Sequence, residues 1–300
     1  MYTKYRGEGM DNITLKALAK INLGLDVVRR REDGYHEVRM IMQTIHLYDK
    51  LDIKKTTDSG IAITSNLSYV PTNENNLVYK AGKLLMDEFD IKEGVSVHLQ
   101  KRIPVAAGMA GGSSDAAAML YGMNQIFDLG LSRKDLMERG VKIGADVPYC
   151  LMRGTALAEG IGEKLTSLSP MVKCPVLIAK PTISVSTKFV YENLKLNEET
   201  MHPDIDQLVK DIEAKDLHAI AGHMGNVLES VTIPEYPIIA QIKEQMMKSG
   251  AINSMMSGSG PTVFGLFEDE ETAKKAYDDM VKSGLAKQIY LTSIYNNRRE

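Results

Sequence analysis

The sequence predicts an α+β fold in two parts, on three observations. Apolar residues alternate over 15–28, as in a half-buried strand. The pair Asp33-Gly34 separates this strand from a second one at 38–42 and is a typical hairpin turn. The C-terminal region follows the order strand, helix, strand, which is common in α+β domains.

The other elements are predicted from apolar spacing and from turn and capping residues. A capping box at Ser132–Asp135 starts one helix, which should end near Gly144. In chain order, the further strands are expected at 51–53, 61–63, 149–152, 156–158, 176–179, 262–267 and 289–293. The further helices are expected at 76–89, 188–194, 204–212, 217–228, 238–248 and 271–282.

A break is expected near residues 167–170, a Ser/Leu/Pro segment between the two parts. We therefore predict an N-terminal domain at 1–168 and a C-terminal α+β domain at 169–300. The length of 300 residues suits two ordinary domains.

Composition excludes several classes of protein. Hydrophobic residues make up 44% and charged residues 25%, as in a soluble globular protein. The net charge of −3 gives no support for a nucleic-acid or membrane partner. Cys150 and Cys174 are too few for a disulfide framework or a zinc cluster, so a cytoplasmic protein is expected. Residues 1–12 lack the apolar core of a signal peptide, and Met10 is an alternative start. A monomer and a homodimer are both compatible with the sequence.

The most informative segment is the glycine-rich loop at 104–114, between a predicted strand (95–99) and a predicted helix (115–127). Such a loop at a helix N-terminus presents free N–H groups that suit a phosphate, and Ser113 or Ser114 could cap the helix. It is not a Walker A loop, because no Lys follows the glycines, and the dinucleotide fingerprint does not fit. A tight strand-to-helix turn without a ligand is the alternative.

Two charged residues are candidates for chemistry. Lys20 lies in an otherwise apolar strand, with Asn22 on the same face. It could supply the charge that the loop lacks, or it could be a lysine whose amine reaches solvent. Asp146 lies between a predicted helix and a predicted strand, where it could be a general base or an ordinary turn residue.

Two further segments could bind a ligand. The small-residue loop at 253–261, just before a predicted strand, allows a close backbone approach at Gly258 and Gly260, or it forms a β-bulge or tight bend. Tyr35 and His36 could stack on a ring and hydrogen-bond it, or simply pack on the surface. The six histidines show no metal-ligand spacing, and Cys150 is expected to be a buried, inert thiol.

Together and in order, these segments resemble the GHMP kinase superfamily over about residues 15–294. The segments are Ala19-Lys20-Ile21-Asn22-Leu23, Asp33-Gly34-Tyr35-His36, the loop 104–114, Gly144-Ala145-Asp146-Val147-Pro148 and Ser257-Gly258-Ser259-Gly260-Pro261. The resemblance implies an N-terminal domain of ribosomal-protein-S5 type and a C-terminal ferredoxin-like domain, with the active site in the cleft between them. The superfamily usually has Pro where this chain has Leu18, which puts no chemical role in doubt.

The resemblance also implies an ATP-binding role for particular residues. Asn76 and Lys101 match positions near the adenine. The residues that would cradle the phosphates are Pro104, Val105, Ala106, Ala107, Gly108, Met109, Ala110, Gly111, Gly112, Ser113 and Ser114. Mg²⁺ is expected from the chemistry of phosphoryl transfer, with ligands that the sequence does not identify.

The implied reaction is phosphorylation of a hydroxyl group on a small molecule that contains cytosine. Asp146 would be the catalytic base and Lys20 its charged neighbour. Five residues match substrate-contacting positions, namely Asn22, Tyr35, His36, Thr187 and Tyr191. The alternatives are another small-molecule kinase of the superfamily, for mevalonate or homoserine, and a nucleotide-binding sensor without turnover.

Overall fold

A long antiparallel hairpin of β1 (Asn12–Arg30) and β2 (His36–Thr56) is the centre of the N-terminal sheet. The structure is a computed structural model that describes residues 10–197 and 200–297. The segment before Met10, which bears on the alternative start, lies outside the described residues. The predicted hairpin at Asp33-Gly34 is confirmed, because the turn joins these two strands.

The N-terminal sheet has the order β3-β4-β2-β1-β8, with β5 pairing with β2, and β6 with β5. Its other strands are β3 (Ile61–Ser65), β4 (Gly94–Gln100), β5 (Thr155–Gly160), β6 (Lys164–Ser167) and β8 (Gly225–Asn226). The first four helices are α1 (Leu77–Glu88), α2 (Gly111–Ile126), α3 (Arg133–Gly140) and α4 (Val147–Met152).

The C-terminal sheet is antiparallel, in the order β11-β7-β10-β9. Its strands are β7 (Pro175–Lys180), β9 (Asn253–Met256), β10 (Val263–Leu266) and β11 (Gln288–Ser293). With α9 (Ile238–Lys248) and α10 (Glu270–Ser283) they follow the βαββαβ path of a ferredoxin-like fold. The remaining helices are α5 (Thr187–Asn193), α6 (Ile205–Ala214), α7 (Leu217–His223) and α8 (Glu229–Glu235).

Helix α2 packs closely on the central hairpin, and this fixes the position of the loop before it. Its buried face includes Ala116, Ala117 and Ala118, whose small side chains permit a short helix-to-sheet distance. At Gly122 an added Cβ would lie 2.4 Å from Ile53 Cδ1, so the helix backbone approaches β2 closely at this position. The glycine-rich loop therefore enters a helix held firmly against β1 and β2.

Strand β1 carries irregularities at the positions that matter for the site. Its register with β2 shifts between Leu18 and Lys20, and again between Asn22 and Gly24. Bulges of this kind redirect side chains and are frequent beside active sites. Lys20 and Asn22 thus occupy the short segment between two register shifts.

Several sequence predictions are wrong in type or extent. Residues 149–152 were expected as a strand but form most of α4, where Pro148 lies in the first turn and so costs no helical hydrogen bond. The helix expected at 217–228 ends at His223, since the next residues pair with β1 as β8. The helix expected to end near Gly144 ends at Gly140, and 51–53 belongs to β2. Residues 253–256, expected as part of the small-residue loop, form β9, and neither β6 nor α8 was predicted. No helix in the described part of the chain has the length and apolarity needed to cross a membrane.

Candidate active site

Two adjoining cavities contain most of the predicted site residues. The larger, of about 740 Å³, is lined by Lys20, Asn22, Tyr35, His36, Asp146, Thr187 and Tyr191, and we call it the acceptor cavity. The smaller, of about 390 Å³, is lined by Asn76, Lys101 and most of the glycine-rich loop, and we call it the nucleotide cavity. Gly108, Ala110 and Thr187 line both cavities, which therefore meet along the loop.

Lys20 is buried where the cavities meet. Its ammonium donates hydrogen bonds to Asn22 Oδ1 at 2.6 Å and to the carbonyl of Gly108 at 2.9 Å. Burial lowers the pKa of Lys20 below its usual value, and the charge of Asp146 opposes that effect. The alternative of a lysine reaching into solvent does not fit, since Lys20 is only 5% exposed.

Asp146 lies at the N-cap of α4, but its side chain forms no capping hydrogen bond. Among the described residues, its carboxylate has neither a hydrogen-bond donor nor an ion-pair partner within 4 Å. It is half-buried and lines the acceptor cavity, where the Lys20 ammonium is near enough to interact with it electrostatically. The carboxylate is thus available to a ligand, and the turn-residue alternative does not explain it.

The acceptor cavity is also lined by an aromatic group. The rings of His36 and Tyr191 are 5.1 Å apart between centroids and tilted by 42°. Tyr35 lines the same cavity and is exposed. Burial and the charge of Arg30 lower the pKa of His36 and so favour the neutral imidazole, which can both donate and accept a hydrogen bond. Burial raises the pKa of Tyr191 to about 12.

The small-residue loop at 257–261 closes the site from the C-terminal side. Ser257 Oγ donates to the Gly108 carbonyl at 2.9 Å, and Ser259 Oγ is 2.8 Å from Thr187 Oγ1. Asn226 supports this loop from below by donating to the carbonyls of Met256 and Gly258. The sequence singled out this loop without assigning its residues to the site, and Gly258 and Ser259 line the acceptor cavity.

Gly108 is irreplaceable at the contact of the two loops. Its φ is +71°, and an added Cβ would lie 2.1 Å from the Ser257 carbonyl oxygen. Ala106 and Ala110 also have positive φ, of 50° and 55°. Three residues of one short loop therefore hold conformations that L-residues seldom adopt, as expected where backbone N–H groups are aimed at a ligand.

The loop differs in detail from the sequence prediction. Helix α2 begins at Gly111 with Ala110 as N-cap, and no side chain caps it. Ser114 is buried within the helix, and its hydroxyl donates to the Leu18 carbonyl at 2.6 Å, so the predicted capping role of Ser113 or Ser114 is wrong. Met109 is buried in the core, and its carbonyl accepts the N–H of Lys20. Met109 and Ser114 line neither cavity, while the remainder of 104–113 does.

Lys101 forms a buried charge cluster beneath the nucleotide cavity. Its ammonium donates to Asp49 and to Asp115 Oδ2, the latter at 2.7 Å. Asp49 also accepts the backbone N–H groups of Arg102 and Ile103. The cluster therefore ties the end of β4 to the N-terminal part of α2, the two elements that the glycine-rich loop connects.

The cluster contains two carboxylates and one ammonium. Burial opposes the charge on Lys101, but Asp115 and Asp49 outweigh it and raise the Lys101 pKa. Burial likewise raises the pKa of Asp115 well above its usual range, and its Oδ1 has no hydrogen-bond partner among the described residues. Asp49 and Asp115 were not predicted, because neither belongs to a local motif with Lys101.

Cys150 lies behind the site. It is buried, and burial with the nearby Asp146 charge raises its pKa above the ordinary range. The thiol therefore stays protonated and unreactive, as predicted.

Family comparisons give this arrangement its class. Residues 76–154 match the model described as the GHMP kinases N terminal domain, and residues 208–286 match that of the GHMP kinases C terminal. The chain belongs to the GHMP kinase family, and the predicted two-domain α+β fold is confirmed. It is accordingly a small-molecule kinase that uses ATP.

Comparison with individual proteins shows which GHMP kinases this chain is similar to. The chain is 58% identical to the 4-diphosphocytidyl-2-C-methyl-D-erythritol kinase of Lachnoclostridium phytofermentans, covering 96% of this chain and 99% of that one. It is 56% identical to the enzyme of the same name from Lachnospira eligens, covering 95% and 99%. A crystal structure of 4-(cytidine 5'-diphospho)-2C-methyl-D-erythritol kinase matches with a TM-score of 0.82 and 28% identity, over 95% of this chain and all of the other.

The Lys101 cluster yields a stability prediction. Lys101→Met leaves two buried carboxylates without a cation, so we expect the free energy of unfolding to fall by about 3–5 kcal/mol. The loss should shrink as pH falls, because the raised pKa of Asp115 lets it take up a proton. Urea unfolding at two pH values measures both effects. Lys83→Met is the control: it breaks an exposed pair with Asp87 and should cost about 0.5 kcal/mol or less. Equal losses in the two variants would contradict the role of the cluster.

Proposed function

We propose that this protein transfers the γ-phosphoryl group of ATP to the 2-hydroxyl of 4-diphosphocytidyl-2-C-methyl-D-erythritol, giving the 2-phosphate and ADP, in the non-mevalonate synthesis of isoprenoid precursors. One observation carries the proposal beyond the family. A single cavity is lined both by the charged pair Lys20 and Asp146 and by the aromatic group of Tyr35, His36 and Tyr191. An acceptor that carries both a hydroxyl and a base fits this combination.

The proposed residue roles follow from the contacts. Asp146 accepts the proton of the acceptor hydroxyl and orients its oxygen toward the phosphorus, since its carboxylate is not engaged by capping. Lys20, held by Asn22 and the Gly108 carbonyl, places a positive charge where the transferred group becomes negative. Phosphoryl transfer depends chiefly on such positioning and electrostatics.

The two ligands would meet at the shared wall of the cavities. The N–H groups of the glycine-rich loop and of the first turn of α2 receive the phosphates of ATP. Asn76 and Lys101 line the nucleotide cavity and not the acceptor cavity, which suits residues that support the nucleoside. Thr187 lines both cavities and is positioned by Ser259, which suits a residue that contacts the acceptor near the phosphates.

Mg²⁺ is proposed as a companion of ATP rather than a resident ion. Within residues 10–197 and 200–297, no group of three or more His, Cys, Asp or Glu side chains could hold a metal ion. Mg²⁺ commonly takes most of its ligands from phosphates and water, so a dedicated protein cage is not required.

The wider organisation is part of the same proposal. Residues 1–168 form the ATP-binding and catalytic domain and 169–300 the C-terminal domain, with the boundary in the connection between β6 and β7. The free, buried state of both cysteines supports a reducing, cytoplasmic setting. A monomer or homodimer without nucleic-acid or membrane partners remains our prediction.

The relatives favour this acceptor over the alternatives. The sensor alternative lacks support, because both Lys20 and Asp146 are present and placed at one cavity. Mevalonate and homoserine have no base that Tyr35, His36 and Tyr191 could hold.

The proposal is tested by offering three acceptors in parallel. The purified protein is incubated with Mg-ATP and 4-diphosphocytidyl-2-C-methyl-D-erythritol, mevalonate or homoserine, while ADP release and product mass are followed. Phosphorylation of the cytidyl compound alone supports the proposal. Turnover of another acceptor would refute the substrate, and ATP binding without any turnover would favour the sensor.

Asp146→Asn tests the catalytic base. We expect kcat to fall at least about a hundredfold while the KM of the cytidyl substrate changes little, because the lost proton transfer acts in the transition state. Steady-state kinetics provide the measurement. Asp216→Asn is the control, since it changes another N-cap aspartate, at α7, and Asn caps a helix as well as Asp. Near-wild-type turnover of Asp146→Asn would remove Asp146 from the role of base.

The buried Lys20 also predicts a pH dependence. Because burial lowers its pKa below the usual 10.5, the positive charge is lost at a lower pH than in a surface lysine. We expect kcat/KM to decline as pH rises through that lowered pKa. In Lys20→Arg the guanidinium stays charged, so the residual activity should lack this alkaline decline. The same decline in both proteins would assign it to another group.

A further inference from the structure

Two aromatic side chains stand out by their exposure. Tyr69 is 66% exposed and Tyr35 is 62% exposed, the largest values among Phe and Tyr in the described residues. Each lines a cavity: Tyr35 the acceptor cavity and Tyr69 the nucleotide cavity. Tyr35 already has a proposed role in holding a base, whereas Tyr69 has none.

The exposure of Tyr69 is not that of a loosely attached loop. On one side, Asn66 exchanges two hydrogen bonds with the backbone of Lys101, of 3.1 and 2.7 Å. On the other side, Asn76 Nδ2 donates to the Pro71 carbonyl at 2.6 Å, and Val70 N donates to Leu67 O. The tyrosine is therefore presented from a backbone that is fixed at both ends before any ligand arrives.

The fold itself gives no reason for an aromatic ring here. The Tyr69 hydroxyl makes no hydrogen bond to any described residue, and two thirds of the side chain lies outside the core. A flat ligand stacked on the ring would remove this aromatic surface from water, which is favourable.

The nucleotide cavity is lined by two chemically different groups of residues. Gly108, Ala110, Gly111 and Gly112 provide backbone N–H groups suited to phosphate, while Tyr69, Val70, Pro71 and Leu77 provide apolar surface. A nucleotide combines the same two chemistries in an anionic tail and a flat base. With the phosphates on the loop N–H groups, the base would cover the apolar surface.

We infer that Tyr69 forms one face of the purine site, with its ring stacked on the adenine of ATP. The inference rests on the ATP-dependent function proposed above and names a residue outside every recognised motif of the chain. Stacking on an aromatic face contributes to affinity without selecting among bases, since every base has such a face. Tyr69 therefore contributes to the affinity for the nucleoside and does not distinguish one base from another.

The absence of tryptophan from the sequence permits a direct optical test. Tyr69→Trp introduces one indole, in the lining of the nucleotide cavity. Titration with ADP and Mg²⁺ should change its emission in a saturable manner as the base covers the ring. Inorganic tripolyphosphate, which can occupy the loop but has no base, should leave the emission nearly unchanged.

A matched reporter stands at the other cavity. Tyr35→Trp should respond to cytidine diphosphate and not to ADP. No response of Tyr69→Trp to saturating ADP would overturn the inference, and so would an equal response to ADP and tripolyphosphate. Because the titration needs no turnover, a response without kinase activity would sustain the inference while refuting the proposed function.

Kinetics separate stacking from a purely structural role. Tyr69→Ala should raise the KM of ATP and the inhibition constant of ADP about tenfold, which corresponds to one lost base–aromatic stack. The inhibition constant of tripolyphosphate should stay within about twofold of wild type, because the loop is unchanged. Tyr69→Phe should restore the wild-type KM. Equal weakening of ADP and tripolyphosphate would mean that the variant disturbs the loop, and an unchanged KM in Tyr69→Ala would exclude the stack.

Discussion

The carbonyl group of Gly108 is the contact on which the site depends. It accepts hydrogen bonds from Lys20 of the central hairpin and from Ser257 of the C-terminal loop. One acceptor thus joins the charged group of the site to both loops that enclose it. The same residue lines both cavities, so its position sets the distance between nucleotide and acceptor. The chain tolerates nothing larger than glycine here, because a Cβ would meet the Ser257 carbonyl.

The two cavities are lined by two buried lysines, Lys20 and Lys101, whose charges have different partners. The Lys20 ammonium donates hydrogen bonds to two uncharged oxygens, and the Asp146 carboxylate acts on it only electrostatically. Its charge is therefore available to a ligand. Lys101 is engaged by two carboxylates, so its charge is used to hold the loop ends together. A buried amine without a direct ion pair suits a catalytic role, whereas a buried amine paired with carboxylates suits a structural role. The Gly108 carbonyl accepts a hydrogen bond from the first of these lysines, and the second anchors the two elements that the Gly108 loop connects.

The sequence predicted the features that depend on residues close together in the chain. The Asp33-Gly34 hairpin and the strand–helix–strand order near the C-terminus are examples, because turn residues and apolar spacing act over a few positions. It did not predict the Lys101 cluster, whose members Asp49 and Asp115 are brought together only by sheet pairing and helix packing. Residues 149–152 were misassigned because a short apolar run fits a strand and a buried helix equally well. Tyr69 was missed because a single exposed aromatic in a loop has no periodic signal.

The most direct test of this account compares kcat/KM in Gly108→Ala and Gly222→Ala. Gly222 lies in α7 with no heavy atom within 4 Å of an added Cβ, so it controls for the substitution itself. We expect Gly222→Ala to keep wild-type kcat/KM. Gly108→Ala should lose at least about a hundredfold, because displacing a positioned group by about 1 Å has an effect of that order. Wild-type kcat/KM in Gly108→Ala would contradict the claim that this contact assembles the site.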